Sequence, residues 1–324
     1  MNTKIIYVVT CSEKNTYLEQ ALLSVYSARL HNPTAEIYVV TDKVSAESMT
    51  GKRSEIKKYL TNVLVFDTPE DFNAMKKSRY LKTNLRELIK GDFIYIDTDT
   101  VICQPLDEVD EIIEDVSGVP NRHLMYKVAE MKEANSTFRK LEMEIKEDFV
   151  YINGGMLIVK DTPTAHKLFK AWYDSWTFAG KKGIFMDQAA LHRAEIISGY
   201  KIHEVSGIWN CQIEGCCLNY LHNAKILHFY AVGGSGKTSS YILRRDEIYK
   251  KIKEVGHLSD DIKALVSNPH QSFVPGCGIV SNITRDFLVE ANPMFLIYRD
   301  HPRLWKIIIY PFKFAFRLYK HKSL

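Results

Sequence analysis

The strongest constraint on the fold is an alternation in the first hundred residues. Four short apolar runs stand out: KIIYVV at 4–9, EIYVVT at 36–41, NVLVF at 62–66 and FIYI at 93–96. Helical patterns fill the first and last gaps. Leu18, Ala21, Leu22, Val25 and Ala28 recur at helical spacing after the first run. Leu81, Leu85, Leu88 and Ile89 do so before the fourth, where Gly91 closes the helix. The segment between the second and third runs is charged up to about Leu60. Strands that alternate with helices pair in parallel, and such a sheet is covered by helices on both faces. The pattern therefore predicts an α/β chain built on a mostly parallel sheet. In sheets of this kind ligands gather at the carboxyl ends of the strands.

Past residue 115 the alternation loosens. VSGVP at 116–120 predicts a further strand, and the polar stretch 121–147 a helical or irregular excursion. FVYINGGMLIV predicts strand, turn and strand around Asn153-Gly154-Gly155. Ala165, Leu168, Phe169, Trp172 and Trp176 mark an amphipathic helix, and KILHFY at 225–230 a late strand. From about residue 291 the chain is aromatic and basic. Arg303, Lys306, Lys313, Arg317, Lys320 and Lys322 alternate with Trp305, Ile307, Ile308, Phe312, Phe314 and Phe316. That mixture suits an anionic membrane surface, with Pro311 expected to break the tail into two short helices. The expected organisation is a catalytic domain over 1–250, with a donor half to about 115 and an acceptor half from 116. A C-terminal helical extension and membrane-contact tail follow over 251–324.

Composition excludes several classes. With 46% hydrophobic residues the chain has a full core, and a formal charge of +4 is too small to argue for nucleic acid. No segment approaches the roughly 20 apolar residues of a membrane helix. KIIYVVT is too short, and too soon followed by polar residues, to read as a signal peptide. A cytoplasmic protein, peripheral at the inner face of the membrane, is expected, so the six cysteines read as reduced thiols. The two Asn-x-Thr triplets then read as chance.

Two motifs carry chemistry. FIYI runs straight into Asp97-Thr98-Asp99. Paired carboxylates at the end of a buried strand need a compensating cation, and alternate residues of an extended chain face the same way, so both reach one metal ion. AVGGSGKT at 231–238 fits a loosened phosphate-loop pattern after a strand. Its glycines expose backbone N–H groups to an anion, and His228 stands just before it. A nucleoside-triphosphatase reading of this loop also needs a later strand ending in an acidic residue for magnesium. Fewer than a hundred residues follow Thr238, and none of them reads that way.

In this order the motifs resemble the GT-A nucleotide-sugar glycosyltransferases. The nearest likeness is to the retaining family of glycogenin and the bacterial lipopolysaccharide glucosyl- and galactosyltransferases. VVTCSEKNTYLEQALLSVYS resembles that family's nucleotide-binding first strand and loop, which implies Thr10, Cys11 and Tyr17 near the base. SRYLKTNL resembles its helix that presents Arg79 and Lys82 to the donor. YIDTDTVI resembles its D-x-D, YINGGMLIV its Asn-Gly-Gly segment, and MDQAAL its Asp-Gln pair, here Asp187 and Gln188, beside the donor sugar. LHFYAVGGSGK resembles its His-to-Lys segment, which implies His228 as third metal ligand and Lys237 at a phosphate, with Gly234 and Gly236 in the loop between them. The family continues Lys-Pro-Trp where this chain has Lys237-Thr238-Ser239, and the His-to-Lys spacing here is longer.

The resemblance implies a Rossmann-like GT-A fold and transfer of a hexosyl unit from a UDP-sugar to a saccharide or glycolipid acceptor. Asp97, Asp99 and His228 are a mixed oxygen and imidazole set suited to Mn2+, with Mg2+ as the alternative. Arg79, Lys82 and Arg86 share a helix face, with Arg86 expected in solvent. Asn153, Gly154 and Gly155 read either as a tight strand turn or as a close approach to sugar. Asp187 reads as a helix cap, a donor-sugar contact or a nucleophile. The rival readings are an inactive sugar-nucleotide binder, an inverting GT-A enzyme, a nucleotidyltransferase and the P-loop enzyme.

Overall fold

The computed structural model describes residues 1–123, 137–143, 150–213, 218–229, 241–272 and 292–322. The apolar runs become strands β1 (Lys4–Val8), β2 (Ile37–Thr41), β3 (Asn62–Val65) and β4 (Phe93–Ile96). β5 (Thr100–Ile102) leaves the main sheet, while β6 (Val116–Pro120), β7 (Ile152–Val159) and β8 (His203–Glu204) complete it. The order across this seven-stranded sheet is β3-β2-β1-β4-β7-β6-β8. β1 to β4 run parallel, β7 is antiparallel to both β4 and β6, and β8 is parallel to β6. Asn153-Gly154-Gly155 does not turn the chain. It lies within one continuous strand, β7, buried along its whole length. Because β7 runs against β4, its first residues lie at the carboxyl end of β4.

The period of two along each strand divides the interior. Ile5, Tyr7, Ile94 and Ile96 face one core, with Leu18, Ala21, Leu22 and Val25 of helix α1 (Tyr17–His31). Ile6, Val8, Phe93 and Tyr95 face the other. Helices there are α3 (Ala74–Thr83), α4 (Leu85–Leu88), α5 (Pro163–Lys181) and α6 (Asp187–Ser198), while the short α2 (Lys43–Ser48) follows β2. Thr162 caps α5 by accepting from the Ala165 N–H at 3.3 Å, ahead of Pro163 in the first turn.

A second, three-stranded sheet pairs β5 with β10 (Ile226–His228) and β10 with β9 (Cys211–Gln212). The short helix α7 (Leu218–Leu221) lies between β9 and β10 in sequence. Helices α8 (Asp246–Val255) and α9 (Asp260–Ser267) bury Tyr249, Ile252, Ile262 and Val266 in the α1 core. One compact unit spans Met1–Val274. The second, Pro275–Leu324, contains α10 (Asn292–Asp300) and α11 (Pro302–Lys322). Pro311 sits inside α11 and does not divide it. Proline removes the hydrogen bond its own N–H would make and crowds the carbonyl one turn back, yet the turns on either side continue.

Candidate active site

The first site residues follow from the strand alternation. Asp97 extends the side of β4 that carries Tyr95, so it faces α3. Its carboxylate accepts from the Tyr95 hydroxyl and lies 3.5 Å from Lys82 Nζ. The Asp97-Thr98-Asp99 turn is held on both flanks: Asp97 N donates to the Gly155 carbonyl at 2.8 Å, and Phe229 N donates to the Asp99 carbonyl at 3.0 Å. The Thr98 hydroxyl donates to Gln20 of α1 at 3.0 Å. Pairing of β10 with β5 sets His228 opposite Thr100, which brings His228 Nε2 to 3.3 Å from Asp99 Oδ1. Ligand atoms of Asp97, Asp99 and His228 all lie within 4.8 Å of one another.

The donor set fits a divalent ion, with two carboxylates and one imidazole about a shared point. The backbone fits it too. A Cβ at Gly155 would stand 2.4 Å from His228 Cε1 and 2.9 Å from Asp97 Oδ2, so only glycine lets β7 pass this close. His228 is buried, which pulls its imidazole down. The charge and hydrogen bond of Asp99 outweigh that and raise it above its ordinary value.

A second cluster adjoins the first. Asp187 is the first residue of α6 and is buried, with Met186 in the capping position. Its carboxylate lies 2.8 Å from Arg79 Nε and 2.8 Å from Lys82 Nζ. Burial opposes its charge, yet Arg79 and Lys82 bring it down to about 2. Lys82 therefore bridges Asp187 and Asp97, with its ammonium also over the Tyr95 ring at 4.8 Å. Two tryptophans of α5 steer the chain into this position: Trp172 Nε1 donates to the Asp187 carbonyl at 2.9 Å, and Trp176 Nε1 to Phe185 at 3.1 Å. Arg86, expected in solvent, is instead buried. It packs over Phe93 at 5.0 Å, donates to the Ile89 and Lys160 carbonyls, and pairs with Asp161 at 3.3 Å.

The remaining residues divide. The Thr10 hydroxyl donates to the Ala74 carbonyl at 2.8 Å, joining the end of β1 to the start of α3. Cys11 N donates to Ser45 Oγ at 2.8 Å. Cys11 and Cys103 carry free thiols, both raised by burial. Tyr17, 46% exposed, opens α1. Gln188 Oε1 lies 3.5 Å from Asn153 Nδ2 and from Gly154 N. Gly234, Gly236 and Lys237 fall outside the described residues, as does the rest of AVGGSGKT. Asn210 and Tyr95 were missed from sequence. A single Asn or Tyr beside a strand carries no pattern: Asn210 bonds Asn153 and His228, both distant in the chain, while Tyr95 bonds Asp97 two residues on and lies under the Lys82 ammonium.

No family model and no curated protein matches the sequence. Solved structures do. Galactosyltransferase LgtC in complex with donor and acceptor sugar analogues shares 13% identity at a TM-score of 0.50, over 81% of this chain and 99% of that one. The fold is GT-A-like. An active-site mutant of LgtC gives 12% and 0.49 over 81% and 99% of the two chains. The apo form of mouse xyloside xylosyltransferase 1 gives 11% and 0.47 over 71% and 98%. In this GT-A-like chain the acidic turn and the Asp187 cluster both occupy the carboxyl edge of the sheet, where ligands of open α/β sheets bind. Among the described residues no helix is long and apolar enough to cross a membrane.

Proposed function

We propose that the chain is a metal-dependent glycosyltransferase that moves a hexosyl unit from a UDP-sugar to a saccharide or glycolipid acceptor with retention, in lipopolysaccharide, capsule or other surface-glycan synthesis. The observation that carries the reading is the junction of the Asp97-Asp99-His228 set with Arg79, Lys82 and Asp187. Counting only these described groups, three carboxylates meet two fixed cations, leaving one net negative charge. A divalent ion reverses that sign, and the diphosphate of a nucleotide sugar restores the balance. The site is thus built to take a cation and a dianion together. Bound Mn2+ or Mg2+ would supply Lewis-acid stabilisation of the departing diphosphate.

The protein's own groups divide the remaining work. Arg79 and Lys82 aim positive charge at the donor phosphates, in a site where fixed charges need no reorganisation as the bond breaks. Lys237, with Gly234 and Gly236, would contact the same diphosphate. Thr10, Cys11 and Tyr17 flank the nucleotide base. Gly154 gives the sugar close access, since a Cβ there would already stand 3.6 Å from Lys82 Nζ and 3.8 Å from Asp187 Oδ2. Asp187, with Gln188 beside it, stays ionised next to the sugar. Two cations engage its carboxylate, which lowers its nucleophilicity and favours front-face attack, in which the leaving phosphate helps take the acceptor proton. Residues 1–115 would serve the donor, and 116–250 would serve the acceptor while also bringing Gly154, Asp187, His228 and Lys237 to the donor. The aromatic, basic face of α11 would hold the enzyme on an anionic membrane carrying the acceptor.

The test is UDP release from UDP-hexoses in the presence of Mn2+ and candidate acceptors, alongside thermal shifts with UDP and ATP. Release that needs both metal and acceptor, with a shift by UDP plus Mn2+ and none by ATP, is expected. UDP binding without turnover over a wide acceptor panel would favour the inactive binder. ATP binding would overturn the reading.

A further inference from the structure

A chain of side-chain amides runs behind the acidic turn, and its direction is set by a group that has no choice. The backbone N–H of Gly155 can only donate, and it donates to Asn153 Oδ1 at 2.9 Å. The same oxygen lies 3.0 Å from the side-chain nitrogen of Asn210, so Asn210 presents its NH2 there. Asn210 Oδ1 is thereby turned to His228 Nδ1, also at 3.0 Å. A carbonyl oxygen can only accept, so His228 Nδ1 must carry the proton. At its other end Asn153 donates from Nδ2 to Asn121 Oδ1 at 3.0 Å, which agrees with the same orientation. Asn153 is 3% exposed, and Asn210 and His228 are as deeply enclosed, so water does not compete for these bonds.

We propose that Asn153 and Asn210 are positioning residues that fix His228 as the Nδ1–H tautomer and so aim the Nε2 lone pair at the metal position. The inference rests on the metal site of the proposed function. The geometry around Nε2 supports it. Nε2 and Asp99 Oδ1 stand 3.3 Å apart, on the side of the ring opposite Nδ1. With Nδ1 donating to Asn210, the Nε2 edge of the ring is turned to the position flanked by Asp97 and Asp99. The amide chain therefore holds the ring with Nε2 toward the metal position, as the outer partners of metal-bound histidines do. It also gives the Asn-Gly-Gly segment a role besides sugar access: Gly155 supplies the anchoring N–H, and Asn153 relays its direction.

The experiment compares wild-type protein with Asn210→Ala and Asn210→Asp. Imidazole 15N spectra of the metal-free protein under alkaline conditions report the tautomer, and Mn2+ titration followed by electron paramagnetic resonance reports affinity. Wild type should show Nδ1–H at His228. Asn210→Ala should mix the tautomers and lose about 10- to 100-fold in Mn2+ affinity. Asn210→Asp keeps an acceptor for Nδ1–H, so it should keep the tautomer and most of the affinity. A merely structural role for Asn210 would lower stability in both variants and leave the tautomer alone. Wild-type protein with the proton on Nε2, or Asn210→Ala binding Mn2+ as tightly as wild type, overturns the proposal. The wild-type spectrum decides even if a variant does not fold. Wild-type protein that takes up no Mn2+ removes the metal site of the proposed function, while the tautomer still judges the amide chain.

Discussion

Replacing Gly155 by alanine asks whether the close approach of β7 to the acidic turn is a requirement of the site. The added Cβ would stand 2.4 Å from His228 Cε1, 2.8 Å from Asn153 Oδ1 and 2.9 Å from Asp97 Oδ2. Carbon atoms in contact settle at about 3.5–4.0 Å, so His228 must retreat by about 1 Å or β7 must shift. Neither has room: the His228 ring is buried and bonded to Asn210, and Asp97 N is bonded to the Gly155 carbonyl. Overpacking of this kind costs about 1–3 kcal/mol, and the loss of glycine's backbone freedom returns about 0.5–1, for a net loss of about 1–2 kcal/mol. Movement of His228 should also weaken Mn2+ binding at least about tenfold. Gly154→Ala is the control. Its Cβ meets Lys82 and Asp187 at ordinary contact distances of 3.6 and 3.8 Å, so stability and Mn2+ affinity should hold. Urea unfolding without metal and Mn2+ titration of both variants measure the two effects. A Gly155→Ala protein as stable and as avid for Mn2+ as wild type would refute the reasoning.

Asp97→Ala and Asp99→Ala should each abolish metal-dependent transfer while the protein stays folded; full activity in either would remove the metal-site reading, and paired rate and unfolding measurements decide. The Asp187 carboxylate, ionised down to about 2 against an ordinary value of 3.8, stabilises the fold above roughly pH 4 by about 2 kcal/mol, and this is lost as pH falls through about 2. Asp187→Asn should flatten that part of the acid-unfolding profile, and equal slopes for the two proteins would contradict the ion-pair account. Liposome flotation on anionic vesicles should be lost when the chain is cut near residue 297, since Ile307, Tyr310, Phe312 and Phe314 of α11 are each more than half exposed. Equal flotation of both forms would sink the membrane reading. Lys237→Ala should lower kcat by on the order of 10² to 10³ with a smaller change in donor KM, and Thr238→Ala should be mild; ATP binding that disappears in the Thr238 variant would show that the phosphate-loop match was real.

β1, β2 and β4 were legible because burial on both faces writes itself into strands as apolar runs, and the exposed edge strand β3 because its run is β-branched and apolar all the same. β1, β2, β3 and β4 begin within a residue of the runs that announce them. Asn153-Gly154-Gly155 in β7 reads as a turn between two strands, or as a close approach to sugar, because Asn-Gly-Gly is turn chemistry when nothing else is known. Here the missing side chains serve a long-range need, the space taken by His228 and Asp97. The acidic turn was legible for a local reason, since Asp97 and Asp99 follow the strand that places them. The amide chain was not. Asn121, Asn153, Asn210 and His228 come from four separate stretches, and only the pairing of β7 with β6 and of β10 with β9 brings them together.

Arg79, Lys82 and Arg86 show where periodicity alone misleads. Their spacing of three and four places them on one face of a single helix. The helix, however, is interrupted at Asn84, which closes α3 and precedes α4, with its side-chain nitrogen donating to the Tyr80 carbonyl at 2.8 Å. Arg79 and Lys82, before the break, reach the Asp187 carboxylate. Arg86, after it, is carried under the sheet edge, where its guanidinium covers Phe93 and satisfies the Ile89 and Lys160 carbonyls. Three cations of similar type thus do two jobs. The first two are held by a carboxylate that itself needs their charge to stay ionised, so both remain poised beside the acidic turn. The third is bonded to the Ile89 and Lys160 carbonyls and paired with Asp161, away from the Asp187 carboxylate. That division sets two of the described cations, Arg79 and Lys82, against the carboxylates of Asp97, Asp99 and Asp187, an arrangement that a metal ion would complement.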